Sequence, residues 1–233
     1  MTCKEVKKMY DIIKRFDRPS PELVDRFSKV GESASIYEVM KAGAMDPDIR
    51  PVWPGLRMCG TALTVKTRPG DNLMLHKAID MARPGEVIVL DCGGYTRAGG
   101  MCGGLMAASM KSRGVAGFVT NGAVRDTMDF KRLGVPAFSC GIGVEGSTKA
   151  HGGSINHPIV VGGVVVEPGD IIFGDNDAVV VVPRKIAEEV LLKTNEREAE
   201  EDTIMQDILE GKYVTLDLGY REVFDALGLS EED

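Results

Sequence analysis

Apolar residues near the start of the chain recur at helical spacing. In residues 4–16 they fall three and four positions apart, which predicts an amphipathic helix. A second helix start is predicted at residues 20–22, with Ser20 as the N-cap, Pro21 as the first-turn proline and Glu22 as the first-turn acid. A short helix is also predicted over residues 35–42, with Ser33 or Ser35 as its cap.

From residue 60 onward, short apolar runs alternate with helical segments. A strand is predicted at 60–67, followed by a turn in which Asp71 caps a helix over residues 72–82. Residues 86–91 form a nearly continuous apolar run, which is typical of a buried strand. Four more elements complete this region: a helix at 105–114, a strand at 117–122, a helix at 126–133 and a strand at 136–143.

Short β-branched runs dominate residues 158–183. Glycine pairs and turn-forming residues interrupt them, which predicts an antiparallel meander. Pro183 then opens a charged helix predicted to reach about Lys212. No repeat or linker marks a boundary, so we predict one α/β domain with mixed parallel and antiparallel strands. This domain spans residues 1–233, with N-terminal helices in 1–45, a core in 46–183 and a C-terminal helical segment in 184–233.

Composition narrows the function classes. The 233 residues carry 28 Lys and Arg against 35 Asp and Glu, a net charge of −7. This balance argues against a nucleic-acid partner, because such affinity rests on clustered basic side chains. No apolar run approaches the roughly 20 residues of a membrane helix, so no membrane partner is expected. The N-terminus mixes charges through its apolar positions, unlike a signal peptide, and we expect a cytoplasmic protein.

The metal ligands available are mainly oxygens. Five cysteines without a CxxC pair argue against both a disulfide framework and a zinc ribbon. With only three histidines, a zinc site built from nitrogen and sulfur is also disfavoured. Any metal is therefore expected to be a hard cation held by oxygen, Mg²⁺ or Mn²⁺.

The most informative feature is a glycine-rich loop between a strand and a helix. Residues 92–104 contain six glycines, and such a loop presents unpaired N–H groups and a positive helix end to a small anion. Arg125 and Asp126 follow the next strand. In a parallel sheet this strand would lie beside the first one, so its end would lie next to the glycine-rich loop. Arg125 could clamp a carboxylate, and Asp126 could hold a divalent cation. The same pair could instead be a helix cap with a surface ion pair.

Other candidate residues have more ordinary interpretations. Cys92 and Cys102 have no histidine nearby in sequence, so they are interpreted as buried small hydrophobic residues rather than nucleophiles. Asp175 and Asp177 are interpreted as turn residues rather than metal ligands. His76 is interpreted as a packing or capping residue. No G-x-G-x-x-G stands in register after the strand, so a dinucleotide site is disfavoured.

These motifs together resemble one family. The segment GGLMAASMKSRGVAGFVTNGAVRD is similar to the signature of RraA-like proteins, which include the class II pyruvate aldolases and oxaloacetate decarboxylases. The resemblance covers about residues 30–211, through matching segments at 60–80, 84–94, 103–126 and 160–183. It implies a three-layer, swivelling-type β/β/α domain. It also implies homotrimers or homohexamers with active sites between subunits.

The resemblance also implies site residues. Arg125 would bind the substrate, a small 2-oxo acid, and Asp126 would bind Mg²⁺ or Mn²⁺. Backbone amides of the loop end, at Gly103, Gly104 and Leu105, would hold the pyruvoyl group. Acidic side chains from a neighbouring subunit would be Glu38 and Glu201. On the same helix as Glu201, two further carboxylates, those of Glu198 and Glu200, are alternatives.

One position departs from the aldolases, which carry an acidic residue where this chain has Gly104. Because retro-aldol cleavage needs a base and decarboxylation needs only enolate stabilisation, we expect this loss to harm aldol cleavage more. The expected function is a metal-dependent lyase that releases pyruvate from a small 2-oxo acid. The alternatives are a non-enzymatic regulator that binds RNase E, and a different lyase or a hydratase on the same scaffold.

Overall fold

The computed structural model describes residues 11–229. Its α-helices are short except for the sixth, which has 23 residues. They are α1 (Pro21–Phe27), α2 (Ser33–Met40), α3 (Leu73–Met81), α4 (Gly104–Ser112), α5 (Thr127–Leu133), α6 (Ala187–Leu209) and α7 (Tyr220–Ala226). Two short 3₁₀ turns lie at Thr96–Ala98 and Thr215–Asp217.

Twelve strands are present among the described residues. They are β1 (Asp11–Ile12), β2 (Arg50–Pro51), β3 (Met58–Lys66), β4 (Glu86–Asp91), β5 (Gly100–Cys102), β6 (Gly117–Val124), β7 (Ala137–Ile142), β8 (Ser154–Ile155), β9 (Ile159–Val161), β10 (Val164–Val166), β11 (Ile171–Gly174) and β12 (Val179–Val182).

A mixed sheet of ten strands organises the fold. Its central order is β1-β8-β3-β4-β6-β7-β2, with β11 and β12 added beside β3 and β5 beside β6. Strands β3, β4, β6 and β7 are parallel to one another. Their carboxyl ends therefore meet at one edge, where loops can gather functional side chains.

Each face of this sheet is covered by a different layer. Along β4, Ile88 packs with the helices α3, α4 and α5, while its neighbours Val87 and Val89 pack with the β9–β10 hairpin. Helices α1, α2 and α6 cover β11 and β12. Because successive side chains of a strand point to opposite faces, the layers run hairpin, sheet, helices. The predicted β/β/α architecture with a long C-terminal helix is confirmed.

The predicted helix over residues 4–16 is wrong where the structure describes it, and residues 4–10 lie outside the described part. Residues 11–12 form a strand that pairs in parallel with β8. The Asp11 N–H donates to the Gly153 carbonyl at 3.0 Å, and the Ile13 N–H donates to Ile155 at 3.1 Å. Pairing with the sheet edge thus overrides the local helical pattern.

Helix caps partly match the prediction. Ser20 caps α1, since its hydroxyl oxygen accepts from the Leu23 N–H at 3.2 Å. The N-cap of α2 is Glu32, so the prediction of Ser33 or Ser35 as its cap is wrong. The N-cap of α3 is Asn72 rather than Asp71, although the Asp71 carboxylate accepts from the Leu73 N–H at 3.1 Å.

The predicted meander is divided between two sheets. Gly162 and Gly163 both have positive φ angles, 56° and 74°, which permit the two-residue turn of the β9–β10 hairpin. The antiparallel pair β11–β12 joins the main sheet instead. The long C-terminal helix is confirmed but is shorter than predicted, since it spans 187–209. Within residues 11–229, none of the helices combines the length and the hydropathy of a membrane span.

Candidate active site at the start of helix α4

The glycine loop leads from β4 to the amino end of α4, as the sequence predicts. Gly103 is the N-cap, in extended conformation, and no acidic residue occurs in the first turn of the helix. The first N–H groups of a helix have no partner inside it. Here the Gly104 N–H donates to the Asp126 carboxylate, Oδ2, at 2.9 Å. A side chain from the segment that follows β6 therefore caps α4.

Arg125 and Asp126 leave the carboxyl end of β6 beside this turn. The Arg125 N–H donates to the Cys102 carbonyl at 2.9 Å, which fixes the backbone against the loop. Asp126 has a left-handed φ of 56°, a conformation that costs energy in residues other than glycine. The Arg125 Nε lies 3.6 Å from Asp126 Oδ2, and the two side chains are 41% and 46% exposed. Both are thus accessible to a small ligand.

The alternative interpretation of Asp126 as a plain helix cap is only half correct. Asp126 does stand at the N-cap of α5, but its side chain makes no capping hydrogen bond there. Its carboxylate is directed to α4 instead. Asp126 thus links the two helix starts that flank the carboxyl end of β6.

A side chain at either glycine of this turn would meet the polar side chains around it. A Cβ on Gly103 would lie 2.6 Å from Asp126 Oδ2 and 2.9 Å from Arg125 Nε. A Cβ on Gly104 would overlap the carboxylate of Asp129, with Cγ at 3.0 Å. The loop therefore approaches the three polar side chains so closely that a side chain at either position would have to displace them.

Asp129 is a candidate functional residue that the sequence prediction missed. It lies in the first turn of α5. Its Oδ1 accepts from Arg132 Nη2 at 2.8 Å, while the other oxygen faces Gly104. The sequence contains one signal for Asp129: it is an acid three positions after Asp126, and residues three apart are neighbours on a helix surface.

Known proteins resemble this chain over most of its length. The model of RraA-like proteins, described as Aldolase/RraA, matches residues 21–181. The chain belongs to the RraA-like family. One relative, from Halalkalibacterium halodurans, is 41% identical over 155 residues, which cover 66% of this chain and 73% of the relative. That relative is named "Putative 4-hydroxy-4-methyl-2-oxoglutarate aldolase".

Solved structures share the fold. A crystal structure of an uncharacterized protein from Pseudomonas syringae has a TM-score of 0.74 at 26% identity, and the match covers 87% of this chain and 98% of that one. A Streptomyces coelicolor member of the RNase ES inhibitor RraA family has a TM-score of 0.73 at 24% identity, covering 82% and 99%. The second likeness concerns the fold alone.

In this RraA-like chain, Glu38 and Glu201 share a basic neighbour, Arg197. They project from α2 and α6, on either side of Arg197. Arg197 forms an ion pair with Glu201, and its Nη2 lies 3.9 Å from Glu38 Oε2. Lys41 also pairs with Glu38, and this hydrogen bond lowers the pKa of the Glu38 carboxyl. No hydrogen bond or ion pair among the described residues joins either glutamate to Arg125 or Asp126.

Glu198 has a structural role. Its carboxylate accepts from the Gly31 N–H at 2.9 and 3.1 Å and from the Glu32 N–H at 3.2 Å. Helix α6 is thereby fastened to the segment that begins α2. Of the two alternatives to Glu201, Glu198 is already engaged in these hydrogen bonds, whereas Glu200 is exposed.

A loop at residues 143–153 borders the other side of Arg125. The Gly100 N–H donates to the Glu145 carbonyl at 3.0 Å, and a Cβ on Gly146 would lie 3.6 Å from Arg125 Nη1. This loop is anchored by the buried Asp71, whose Oδ2 accepts from the Ala150 N–H at 2.6 Å.

Asp71 is held in its charged form by several donors. Burial alone would raise its pKa, but hydrogen bonds from Ala150, Leu73, Thr148 and His151 together lower the pKa well below the usual range of an aspartate. Asp71 thus acts as a fixed anion that ties the start of α3 to the loop beside the candidate site.

The remaining sequence candidates have the ordinary roles expected for them, with one exception. Cys92 and Cys102 are buried, and burial raises the pKa of both thiols, so neither is an activated nucleophile. Asp175 accepts from the N–H groups of Asp177 and Ala178 in a turn. His76 does not pack in the core, because it is exposed on α3.

The donor set suits a hard divalent cation. No group of three or more His, Cys, Asp or Glu side chains within residues 11–229 is placed to hold a metal. Asp126 and Asp129 bring two carboxylates to one turn, however. Mg²⁺ commonly binds through one or two carboxylates and retains several waters. These two residues therefore fit such an ion.

Proposed function

We propose that this protein is a divalent-metal-dependent lyase that releases pyruvate from a small 2-oxo acid, by cleaving a 4-hydroxy-2-oxo acid, by decarboxylating oxaloacetate, or by both. The observation that carries the proposal is the convergence of Arg125, Asp126 and Asp129 on the amino end of α4. A guanidinium, two carboxylates and a helix start form a site for an anionic substrate with a metal.

The substrate carboxylate is assigned to Arg125 and the first turn of α4. Arg125 is half-exposed and presents a planar fork that matches a carboxylate or an adjacent carbonyl oxygen. Of the amides that were expected to bind, Gly104 N–H already donates to Asp126. The Leu105 N–H, in the same turn, is therefore the first anchor, and Gly104 joins it when Asp126 turns toward a metal.

Asp126 would hold Mg²⁺ or Mn²⁺, with Asp129 beside it. When bound, the cation would supply Lewis-acid polarisation of the 2-oxo group. Arg125 would offset the negative charge that develops on the enolate oxygen after the carbon–carbon bond breaks. Asp126 thus serves binding, and Arg125 serves both binding and charge stabilisation.

The two reactions differ in their need for a base. Decarboxylation of oxaloacetate needs a stabilised enolate, whereas aldol cleavage also needs a proton removed from the C4 hydroxyl. Position 104 supplies no acid, but the Asp129 carboxylate fills the space beside it. Asp129 is therefore assigned the role of positioning or receiving that proton, so that aldol cleavage remains available. Glu38 and Glu201 of a neighbouring copy are assigned to the same step.

Exposed apolar residues support a homo-oligomer with sites between subunits. Leu105, Met128, Ile142 and Val144 are between 66% and 89% exposed. They lie at the starts of α4 and α5 and at the end of β7, around the candidate site. Large apolar side chains so exposed and so close together mark an interaction surface. We assign this surface to a homotrimer or homohexamer contact.

The test is pyruvate release from oxaloacetate and from 4-hydroxy-4-methyl-2-oxoglutarate, each with Mg²⁺, with Mn²⁺ and with EDTA. The proposal predicts turnover of at least one substrate that requires the metal and stops with EDTA. Absence of turnover with both substrates in both metals would contradict it. The ratio between substrates measures whether Asp129 compensates for glycine at 104.

Binding to RNase E is the function to separate from catalysis. A pull-down with an RNase E scaffold segment, run with and without metal, makes the distinction. Salt-sensitive capture without metal dependence, together with no turnover, would favour a regulator, and the net charge of −7 suits a basic partner. The proposed lyase predicts no such capture.

A further inference from the structure

A cavity of about 320 Å³ lies at the amino end of β4, where its pairing with β3 begins; it is called the amino-edge cavity below. Residues of the 18–28 segment line one side, residues 83–86 line the other, and Thr61 of β3 completes the lining. The candidate site lies beyond the carboxyl end of the same six-residue strand, roughly 20 Å away at about 3.3 Å per residue. The cavity and the candidate site are therefore separate.

A nearly buried ion pair joins the two sides of the amino-edge cavity. The Glu86 carboxylate, 3% exposed, accepts from Arg18 Nε at 2.9 Å and from Arg18 Nη2 at 2.7 Å. Its other oxygen accepts from the Arg83 N–H at 2.8 Å. The Arg18 guanidinium also lies over the Phe16 ring, 3.6 Å from the ring centroid. Because contacts within the chain fix both sides, binding of a ligand needs little further ordering of the cavity.

Much of the lining is apolar and rigid. Pro19 precedes α1, Pro21 and Val24 belong to α1, and Pro84 lies in the opposite turn. A proline ring fixes its own φ angle, so these walls have few conformations available. A flat apolar group can bury its surface against them. The volume of about 320 Å³ is at the small end of the range for small-molecule sites, roughly 300–1,000 Å³.

The Thr61 hydroxyl has unused hydrogen-bonding capacity. Thr61 is 7% exposed and lines the cavity, and within residues 11–229 no donor or acceptor pairs with its hydroxyl. Two other buried threonines of the same region, Thr64 and Thr67, donate to the carbonyls of His157 and Asp71. A buried hydroxyl without a partner costs free energy. Thr61 is thus placed to bond a polar atom of a ligand.

The charged groups of the lining leave one cation unpaired. Glu86 is paired with Arg18, and Asp25 is paired with Lys29 at 2.7 Å. The exposed Arg83 guanidinium forms no hydrogen bond or ion pair with any residue that the structure describes. The cavity therefore presents a free guanidinium, a group whose planar fork matches a carboxylate.

We infer that the amino-edge cavity binds a small carboxylate with a flat apolar body and a polar group at its far end. The carboxylate pairs with Arg83, the body packs against the prolines, and the polar end bonds the Thr61 hydroxyl. Because an exposed ion pair contributes little by itself, the apolar body supplies much of the affinity. This binding is distinct from the proposed reaction and does not depend on it.

The test is isothermal titration calorimetry of the full chain with 4-hydroxybenzoate, a probe that carries all three features. Benzoate lacks the polar end, and 4-hydroxybenzamide lacks the charge. We expect 4-hydroxybenzoate to bind at one site per chain. The affinity of 4-hydroxybenzamide should be about tenfold lower, as expected when a charge-assisted hydrogen bond is lost.

Two substitutions assign the contacts. Arg83→Ala should weaken the binding of 4-hydroxybenzoate about tenfold. Arg97→Ala is the matched control and should leave it unchanged, since Arg97 is also exposed and without an ion pair among the described residues. Thr61→Val removes only the hydroxyl, so it should weaken 4-hydroxybenzoate about three- to tenfold and leave benzoate unchanged. Circular dichroism checks that each variant is folded.

Arg125→Ala separates the amino-edge cavity from the candidate site, where Arg125 is the other group proposed to bind a carboxylate. We expect this variant to bind 4-hydroxybenzoate with unchanged affinity. Lost affinity in Arg125→Ala, unchanged affinity in Arg83→Ala, or no binding of the probe at millimolar concentration would each overturn the inference. Equal affinities of the wild type for 4-hydroxybenzoate and 4-hydroxybenzamide would also overturn it.

Discussion

The Asp129 carboxylate lies where the side chain of any other residue at position 104 would begin. A Cβ on Gly104 would come within 3.0 Å of Asp129 Cγ and 3.1 Å of its Cβ. Glycine at 104 and aspartate at 129 are thus a matched pair. The helix start that lacks its own acid receives one from the neighbouring helix.

Because the two positions share one space, Gly104→Ala should act through Asp129. The added methyl displaces the carboxylate, and pyruvate release should fall about 10–100-fold, the range found when a partner that orients a metal ligand is lost. In an Asp129→Ala background, the same Gly104→Ala change should have no further effect. Pyruvate release from the four proteins of this cycle, with circular dichroism as a fold check, measures the coupling.

Moving the carboxylate back provides the complementary test. The double variant Gly104→Asp with Asp129→Ala should recover part of the activity that Asp129→Ala loses. Asp25→Ala is the control, since Asp25 is also an exposed helical aspartate paired with a basic residue one turn later. The two positions would act independently if the losses from Gly104→Ala and Asp129→Ala simply added in their double variant. The same conclusion would follow if Gly104→Asp with Asp129→Ala recovered no activity.

Removal of the guanidinium should impair chemistry rather than folding. Arg125→Ala should lower the turnover of oxaloacetate about 10²–10³-fold if Arg125 stabilises charge that develops in the transition state. Arg26→Ala removes an exposed arginine that pairs with Glu188 far along the chain and should leave turnover unchanged. Steady-state kinetics of both proteins decide this role, and an Arg125→Ala protein with normal turnover would exclude it.

Substitutions of Glu198 and Glu201 should have different effects, one on the stability of the protein and the other on its activity. Glu198→Ala removes the acceptor of the Gly31 and Glu32 N–H groups and should cost about 1 kcal/mol of unfolding free energy, as a lost cap does. Its pyruvate release should stay normal. Glu201→Ala should show the reverse, lower turnover with little change in stability. Urea denaturation and kinetics on both variants test the assignment, and the opposite pattern would transfer the role of Glu201 to Glu198.

Asp71 should stabilise the fold in a pH-dependent way. Asp71→Asn should cost about 1.5–3 kcal/mol at pH 7, the range for hydrogen bonds to a charged group. Because the folded pKa lies below the unfolded value of about 3.9, the stabilisation is present above that value and is lost as the pH falls toward the folded pKa. Urea denaturation at pH 7 and pH 3 should therefore show a smaller difference between wild type and variant at pH 3.

Asp46→Asn is the control that tests whether the pH-dependent stabilisation is specific to the buried carboxylate of Asp71. Asp46 is exposed, and its carboxylate accepts from the nearby Asp48 N–H, so Asp46→Asn should change stability by less than about 0.5 kcal/mol at either pH. A difference between wild type and Asp71→Asn that does not shrink at pH 3 would contradict the account of Asp71.

Local signals in the sequence predicted much of the fold. The buried strand at 86–91, the glycine loop and the cap at Ser20 depend on neighbouring residues, and all three are present in the structure. The helix predicted at the start of the chain was wrong because Asp11 and Ile12 pair with residues more than a hundred positions away. No local pattern of apolar residues contains such a pairing.

The candidate site was predicted in part for the same reason. Arg125 and Asp126 were found because a strand and a glycine loop precede them in sequence. Asp129 was missed because its importance comes from its contact with Gly104, which only the packing of α4 against α5 brings close. The common contact of Glu38 and Glu201 with Arg197 likewise depends on the packing of α2 on α6, which no motif describes.

Asp126 is proposed to hold a divalent metal that is required for pyruvate release. The most direct measurement is a Mn²⁺ titration of EDTA-stripped protein, following pyruvate release from oxaloacetate in wild type and in Asp126→Ala. Activity should return with saturable dependence on Mn²⁺ in wild type and should not return in the variant. Full activity in stripped wild type, or equal recovery in Asp126→Ala, would contradict it.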